Sequence, residues 1–152
     1  MAGRFRAFRT GPLPTFEKMI PTPSPEPGSR RVLVADDEPH IRRILTTLLR
    51  NAGFGVDEAL DGAEALAKLR EGQAYDFILT DLMMPEASGL DILRAVRSGE
   101  GCQRETPVII LTAKGQDTDR REAFAEGAND FLTKPFSPKK LIARIEEILS
   151  ED

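Results

Sequence analysis

The chain has one cysteine, Cys102, and one histidine, His40, among 152 residues. A single cysteine excludes an intramolecular disulfide and fits a reducing compartment. With no feature that would favour a thiolate, Cys102 reads as an inert surface group. A lone histidine cannot build a zinc site, so His40 reads as a partly exposed residue of the first helix. No apolar run is long enough to span a bilayer, and the first residues lack the apolar core of a secretory signal. No P-loop occurs, and Gly53-Phe54-Gly55 lacks the context of a dinucleotide fingerprint. A net charge of −4 is too mild to point to nucleic acid. The expected setting is cytoplasmic, without membrane or direct nucleic-acid contact.

What is present suits one domain with a core of its own. Hydrophobic residues make up 40% and charged residues 30%, ordinary values for a globular protein. The charge is uneven. Residues 1–31 carry six basic side chains and two acidic ones, so the rest of the chain bears −8. Pro21 to Ser29 contains four prolines, which no helix or central strand accommodates. Residues 1–29 are therefore expected to be a disordered, basic, Pro-rich leader, with residues 30–152 as the folded domain. Met19 is an alternative start within that leader. Its Arg4–Arg9 segment, basic and partly aromatic, reads as solvated.

From Val32 the pattern alternates between strand and helix. Residues 32–35 form a short apolar run, read as a buried strand. Ile41, Ile44, Leu45, Leu48, Leu49 and Ala52 follow at helical spacing, with Pro39 before them and Gly53 after. Residues 56–60 read as an edge-like strand. Asp61 and Glu64 form a capping pair for a helix ending at Gly72. The next strands are 77–80, 107–112 and 131–133. Between them lie helices opened by Ser88 and spanning about 117–126. Ser137 and Pro138 cap the last helix. Strict alternation predicts parallel strands with right-handed crossovers, an open α/β sheet covered on both faces.

Such a sheet binds ligands at the carboxyl edge of its strands. The first strand ends in Asp36-Asp37, the third in Asp81, the fourth in Thr112, the fifth in Thr133-Lys134. Carboxylates gathered there repel one another unless something positive joins them. A hard divalent cation with oxygen ligands meets that need, and Lys134 adds a fixed positive charge. A carboxylate nucleophile, a cation, a lysine and a hydroxyl make a site for phosphoryl transfer. Alone, Asp36-Asp37 would serve as helix-capping acids, Thr112 as a strand residue and Lys134 as a surface lysine. Their shared edge favours the joint reading.

The segments VLVADDEP (32–39), ILTDLMMP (78–85), VIILTA (108–113), GAND (127–130) and FLTKPF (131–136) resemble the receiver domain of bacterial response regulators. Their order and separations match over residues 31–150. The resemblance implies a flavodoxin-like, doubly wound five-stranded sheet in the order 2-1-3-4-5. It implies that Asp81 accepts a phosphoryl group from a histidine kinase or a histidine phosphotransfer protein. It implies Mg²⁺ or Mn²⁺ held by Asp37, Asp81 and the backbone carbonyl of Met83, with Asp36 acting through a metal-bound water. Lys134 would pair with the phosphoryl group. Thr112 would turn toward it beside the backbone N–H of Ala113, and Phe131 would move inward behind Thr112. The Lys134-Pro135 bond is expected to be cis. Met83 and Lys114 flank the site where the family tunes phosphoryl lifetime.

Such a domain phosphorylates and dephosphorylates itself but turns over no outside metabolite, so it is not read as an enzyme. The chain ends just past the last helix, so a stand-alone receiver acting on a protein target is expected, with no output domain. The last stretch is also similar to receivers of winged-helix regulators, which dimerise through the face formed by residues 117–150. Asp130 and Arg144 fit that arrangement. Lys140 facing Arg120 does not, so a monomer or a weak dimer is expected. Two other readings remain: a phosphorylation-independent interaction module, and a haloacid-dehalogenase-like phosphohydrolase. The second would place another Asp where Met83 stands.

Overall fold

Val32, Val34, Phe77, Leu79, Ile109 and Leu111 point to one side of a sheet, and Leu33, Ala35, Ile78, Val108 and Ile110 to the other. A strand with both faces apolar must be covered twice, as parallel sheets are. The computed structural model shows that arrangement, and describes residues 30–72, 74–99, 104–113 and 115–150. The leader, Cys102 and Lys114 lie outside the described residues.

The strands are β1 (Arg31–Ala35), β2 (Gly55–Ala59), β3 (Phe77–Thr80), β4 (Val108–Thr112) and β5 (Asp130–Thr133). They are parallel and ordered β2-β1-β3-β4-β5. The helices are α1 (Pro39–Asn51), α2 (Gly62–Arg70), α3 (Gly89–Arg97), α4 (Asp117–Ala125) and α5 (Pro138–Leu149). Strand order and alternation match the expected doubly wound sheet, with bounds that shift by one or two residues.

Helices α1 and α5 cover one face, where Leu45, Leu49, Leu141, Ile145 and Leu149 pack on the first strand set. On the other face, Ala65, Leu69, Ile92, Leu93, Val96 and Ala123 supply the apolar contacts of α2, α3 and α4. Helix α4 buries only Ala123 of its nine residues, so it is the helix least anchored by apolar burial. Ile44, grouped by spacing with the apolar stripe of α1, is exposed. It lies on the flank of a stripe centred on Ile41, Leu45, Leu48 and Leu49. His40 is likewise exposed on α1.

The start signals act as expected. Asp61 accepts from the Glu64 backbone N–H at 2.8 Å. Ser88 and Asp91 form a reciprocal capping box, and Ser137 accepts from the Lys140 N–H at 3.3 Å. No helix among the described residues is long and apolar enough to cross a membrane.

Candidate functional site

Each strand end delivers its polar residue to one edge because the ladder continues a step beyond the strand. The Asp81 N–H donates to Ala35 O at 2.9 Å, and the Asp36 N–H to Ala59 O at 3.2 Å. Asp81 thereby sits beside the end of β1, and Asp36 beside the end of β2. The Lys134 N–H donates to Thr112 O at 2.9 Å, tying the turn after β5 to β4. The Lys134-Pro135 bond is cis, as the family resemblance implied.

Gly89 explains how closely α3 approaches. A Cβ there would lie 2.4 Å from Asp81 O, so only glycine lets the helix begin against the backbone of Asp81. The Gly89 N–H donates to Leu82 O at 2.9 Å, which closes that loop.

Lys134 Nζ is the centre of the cluster. It donates to Asp36 Oδ2 at 2.9 Å and to Asp81 Oδ2 at 3.2 Å. Its side chain is 8% exposed, and those of Asp36 and Asp81 are 1% and 9% exposed. The remaining oxygens are also engaged. Asp36 Oδ1 accepts from the Glu38 N–H at 2.9 Å, and Asp81 Oδ1 from the Leu82 N–H at 2.6 Å. Residues 98 and 53 positions apart from Lys134 are thus joined by one ammonium.

The electrostatics follow from this geometry. Burial pushes the Asp36 carboxyl above its usual value of 3.8, against the lowering pull of the hydrogen bond from Lys134. Burial alone would lower the Lys134 ammonium. Its hydrogen bond to Asp36 and the charges of Asp81 and Asp36 outweigh that and hold it above 10.5. Lys134 therefore stays charged at neutral pH.

A third carboxylate joins the cluster. Glu38 Oε1 lies 3.5 Å from Lys134 Nζ. Asp36, Glu38 and Asp81 each offer an oxygen within 4.8 Å of the others. This donor set, all carboxylate oxygen and open to solvent at Glu38, fits a hard divalent cation. Asp37 is exposed just after β1 and is not in that group of three. Glu38 was not singled out from sequence. The available signal was a third acid directly after Asp36-Asp37, and it reads equally well as a helix-start acid.

The other expected residues fall around this centre. Thr112 is buried at the end of β4, and Ala113 is exposed directly after it. Met83, two residues after Asp81, is 61% exposed. Phe131 is 1% exposed, with its ring against Gly115, where a Cβ would come within 2.5 Å of it. The Arg120 guanidinium lies 5.8 Å from the centre of that ring and 5.5 Å from that of Phe124. Arg120 Nη1 also donates to Phe131 O at 2.9 Å. Arg144 Nε pairs with Asp130 Oδ2 at 2.6 Å within the chain.

The sequence profile described as "Response regulator receiver domain" matches residues 32–146. The transcriptional regulatory protein ResD of Bacillus subtilis is 42% identical over 119 residues, 78% of this chain and 48% of ResD. The chain thus spans about half the length of the curated relatives it matches. The chemotaxis protein CheY4 of Vibrio cholerae is a structural neighbour with a TM-score of 0.72 and 34% identity, covering 79% of this chain and 98% of CheY4. The receiver domain of the Pseudomonas aeruginosa sensor histidine kinase PA1611 superposes with a TM-score of 0.67 at 31% identity, over 82% of this chain and 97% of that one. Its structure carries a magnesium ion coordinated in the active-site cleft.

Proposed function

The chain belongs to the response regulator receiver domain family of two-component signalling, and from that premise we propose that it accepts a phosphoryl group on Asp81. A carboxylate oxygen of Asp81 attacks the phosphorus of a phosphohistidine on a histidine kinase or a histidine phosphotransfer protein. The new O–P bond forms as the P–N bond breaks, and the departing imidazole takes a proton from solvent. An acyl phosphate remains on the chain.

Asp36, Asp37 and Asp81, with the backbone carbonyl of Met83, would hold Mg²⁺ or Mn²⁺. Bound there, such a cation offsets the mutual repulsion of the carboxylates and the negative charge of the incoming phosphoryl oxygens. The chain does the rest by position. Lys134, already within hydrogen-bond reach of Asp81 Oδ2, pairs with a phosphoryl oxygen. The Thr112 hydroxyl and the Ala113 N–H donate to the neighbouring phosphoryl oxygens. The added charge then shifts a protein-interaction surface that includes α4, the helix with least apolar anchoring.

The observation that carries this reading is Lys134 bridging Asp36 and Asp81 at the ends of three strands. Intact mass after treatment with a small phosphodonor and Mg²⁺, beside Asp81→Asn, tests it. One added phosphoryl group is expected, absent without Mg²⁺ and in the variant. No gain in the wild type, with Mg²⁺ binding shown separately, would instead favour an interaction module that works without phosphorylation.

A further inference from the structure

Glu38 occupies the N-cap position of α1, yet its side chain makes no capping bond there. Short side chains such as Ser, Thr, Asp and Asn suit that position, because they reach the first free N–H groups. Pro39 at the first turn already removes one of those donors. The length of Glu38 is therefore unexplained by the helix. Its carboxylate instead crosses to Lys134 Nζ at 3.5 Å, while its own N–H donates to Asp36 Oδ1 at 2.9 Å. One residue thus touches both members of the Lys134–Asp36 pair, from outside the pair.

We propose that Glu38 is a positioning residue for Lys134, giving its ammonium a carboxylate to hold when Asp36 and Asp81 turn to a divalent cation. This rests on the phosphoryl-acceptor reading of the site. Lys134 now shares Asp36 and Asp81, the carboxylates that cation also needs. An ammonium and a divalent cation repel, so Lys134 must loosen its hold on those oxygens while staying beside Asp81. With the cation on Asp36, Asp37, Asp81 and the Met83 carbonyl, Glu38, on the solvent side with 60% of its side chain exposed, is the neighbouring anion that remains for Lys134. Without that anchor the long lysine side chain gains freedom, and orientation is lost when the phosphoryl group arrives.

The size of the effect follows from exposure. A pair with one exposed member changes an equilibrium by about two- to fivefold. Glu38→Gln keeps the shape and removes the charge. At saturating Mg²⁺, phosphoryl uptake from a small phosphodonor should slow by about that factor, and the same change made on a Lys134→Met background should do nothing further. A second readout needs no phosphoryl transfer. The ¹³C ε-methylene resonance of Lys134, identified by its loss in Lys134→Met, should stay dispersed when Mg²⁺ is added to the wild type. In Glu38→Gln with Mg²⁺ it should narrow toward the position of solvent-exposed lysines. An unchanged resonance and rate in Glu38→Gln, or an equal slowing on both backgrounds, would overturn the proposal. If the wild type took up no phosphoryl group, the phosphoryl-acceptor reading would fall, and the Lys134 resonance would still decide the role of Glu38.

Discussion

Arg97 and Lys134 are both partly buried cations that gather oxygens, one at each edge of the same sheet. At the amino edge, Arg97 donates to the carbonyls of Arg104, Thr106 and Gly127 and to Asn129 Oδ1, at 2.6 to 3.1 Å. Asn129 Oδ1 also accepts from the Val108 N–H at 2.9 Å. These acceptors are neutral and mostly fixed by backbone, and they clasp the end of α3 to the starts of β4 and β5. At the carboxyl edge, Lys134 is surrounded by three carboxylates instead. Their charge is only partly offset, and two of them, Asp36 and Asp81, belong to the proposed cation site as well. The contrast separates a polar network that holds the fold from a charged one on which the proposed phosphoryl transfer would draw.

The sharpest way to break this contrast is Arg97→Ala. It leaves several acceptors without their donor and should lower stability by about 3 kcal/mol in urea unfolding. Phosphoryl uptake by the folded protein should not change. A large loss of uptake with little loss of stability would place Arg97 with the reactive edge. Next in size is Gly115→Ala. The added Cβ would sit 2.5 Å from the Phe131 ring, so overpacking should cost about 2 kcal/mol, with the ring displaced. Loss of the Phe131–Gly115 contact in NMR spectra would report that displacement.

Asp36→Asn should act in the opposite direction. Asp36 has a folded value raised above 3.8, so the fold favours its protonated form and ionisation opposes folding. A neutral isostere should therefore raise stability by about 1 kcal/mol near neutral pH, while weakening Mg²⁺ binding. That gain is largest above the raised folded value. It should shrink as pH falls toward 3.8, where the wild-type carboxyl is protonated as well. A gain that grew on acidification would contradict the burial argument. Lys134 has the other pH limit: its raised value means that the stability it supplies is kept below 10.5 and lost at higher pH.

The smallest expected effect concerns association. Arg144 and Arg120 already have partners within the chain, at Asp130 and at the Phe131 carbonyl. Lys140 opposite Arg120 should keep the phosphorylated protein monomeric or weakly dimeric in sedimentation. Lys140→Glu should strengthen the dimer by less than about tenfold and leave unfolding unchanged. A tight dimer of the unaltered protein on the α4–β5–α5 face would refute this.

Much of this was legible before the structure. Val32–Ala35, Phe77–Thr80 and Val108–Thr112 are apolar runs bounded by turn residues, and the two sides of each strand need the same chemistry. Ser88 and Ser137 mark helix starts through bonds made within three residues. Placing Asp36, Asp81, Thr112 and Lys134 on one edge needed only parallel alternation. Ile44 was harder, because residues on the flank of a helical stripe are buried or exposed according to the width of the neighbour. Glu38 was harder still, since its neighbours in sequence suggest a cap and its actual partner lies in the turn after β5.

Strand and helix placement and the edge that gathers Asp36, Asp81, Thr112 and Lys134 were thus determined by the sequence itself, because periodicity and capping are local and parallel connection leaves few topologies, while the strand order came from the family resemblance. Tertiary structure alone decided which carboxylates share Lys134, that Phe131 packs under Gly115, and that Arg97 rather than another arginine clasps the amino edge. Those outcomes depend on distances between strands and on side-chain directions, which emerge only when segments far apart in sequence are packed to a common density.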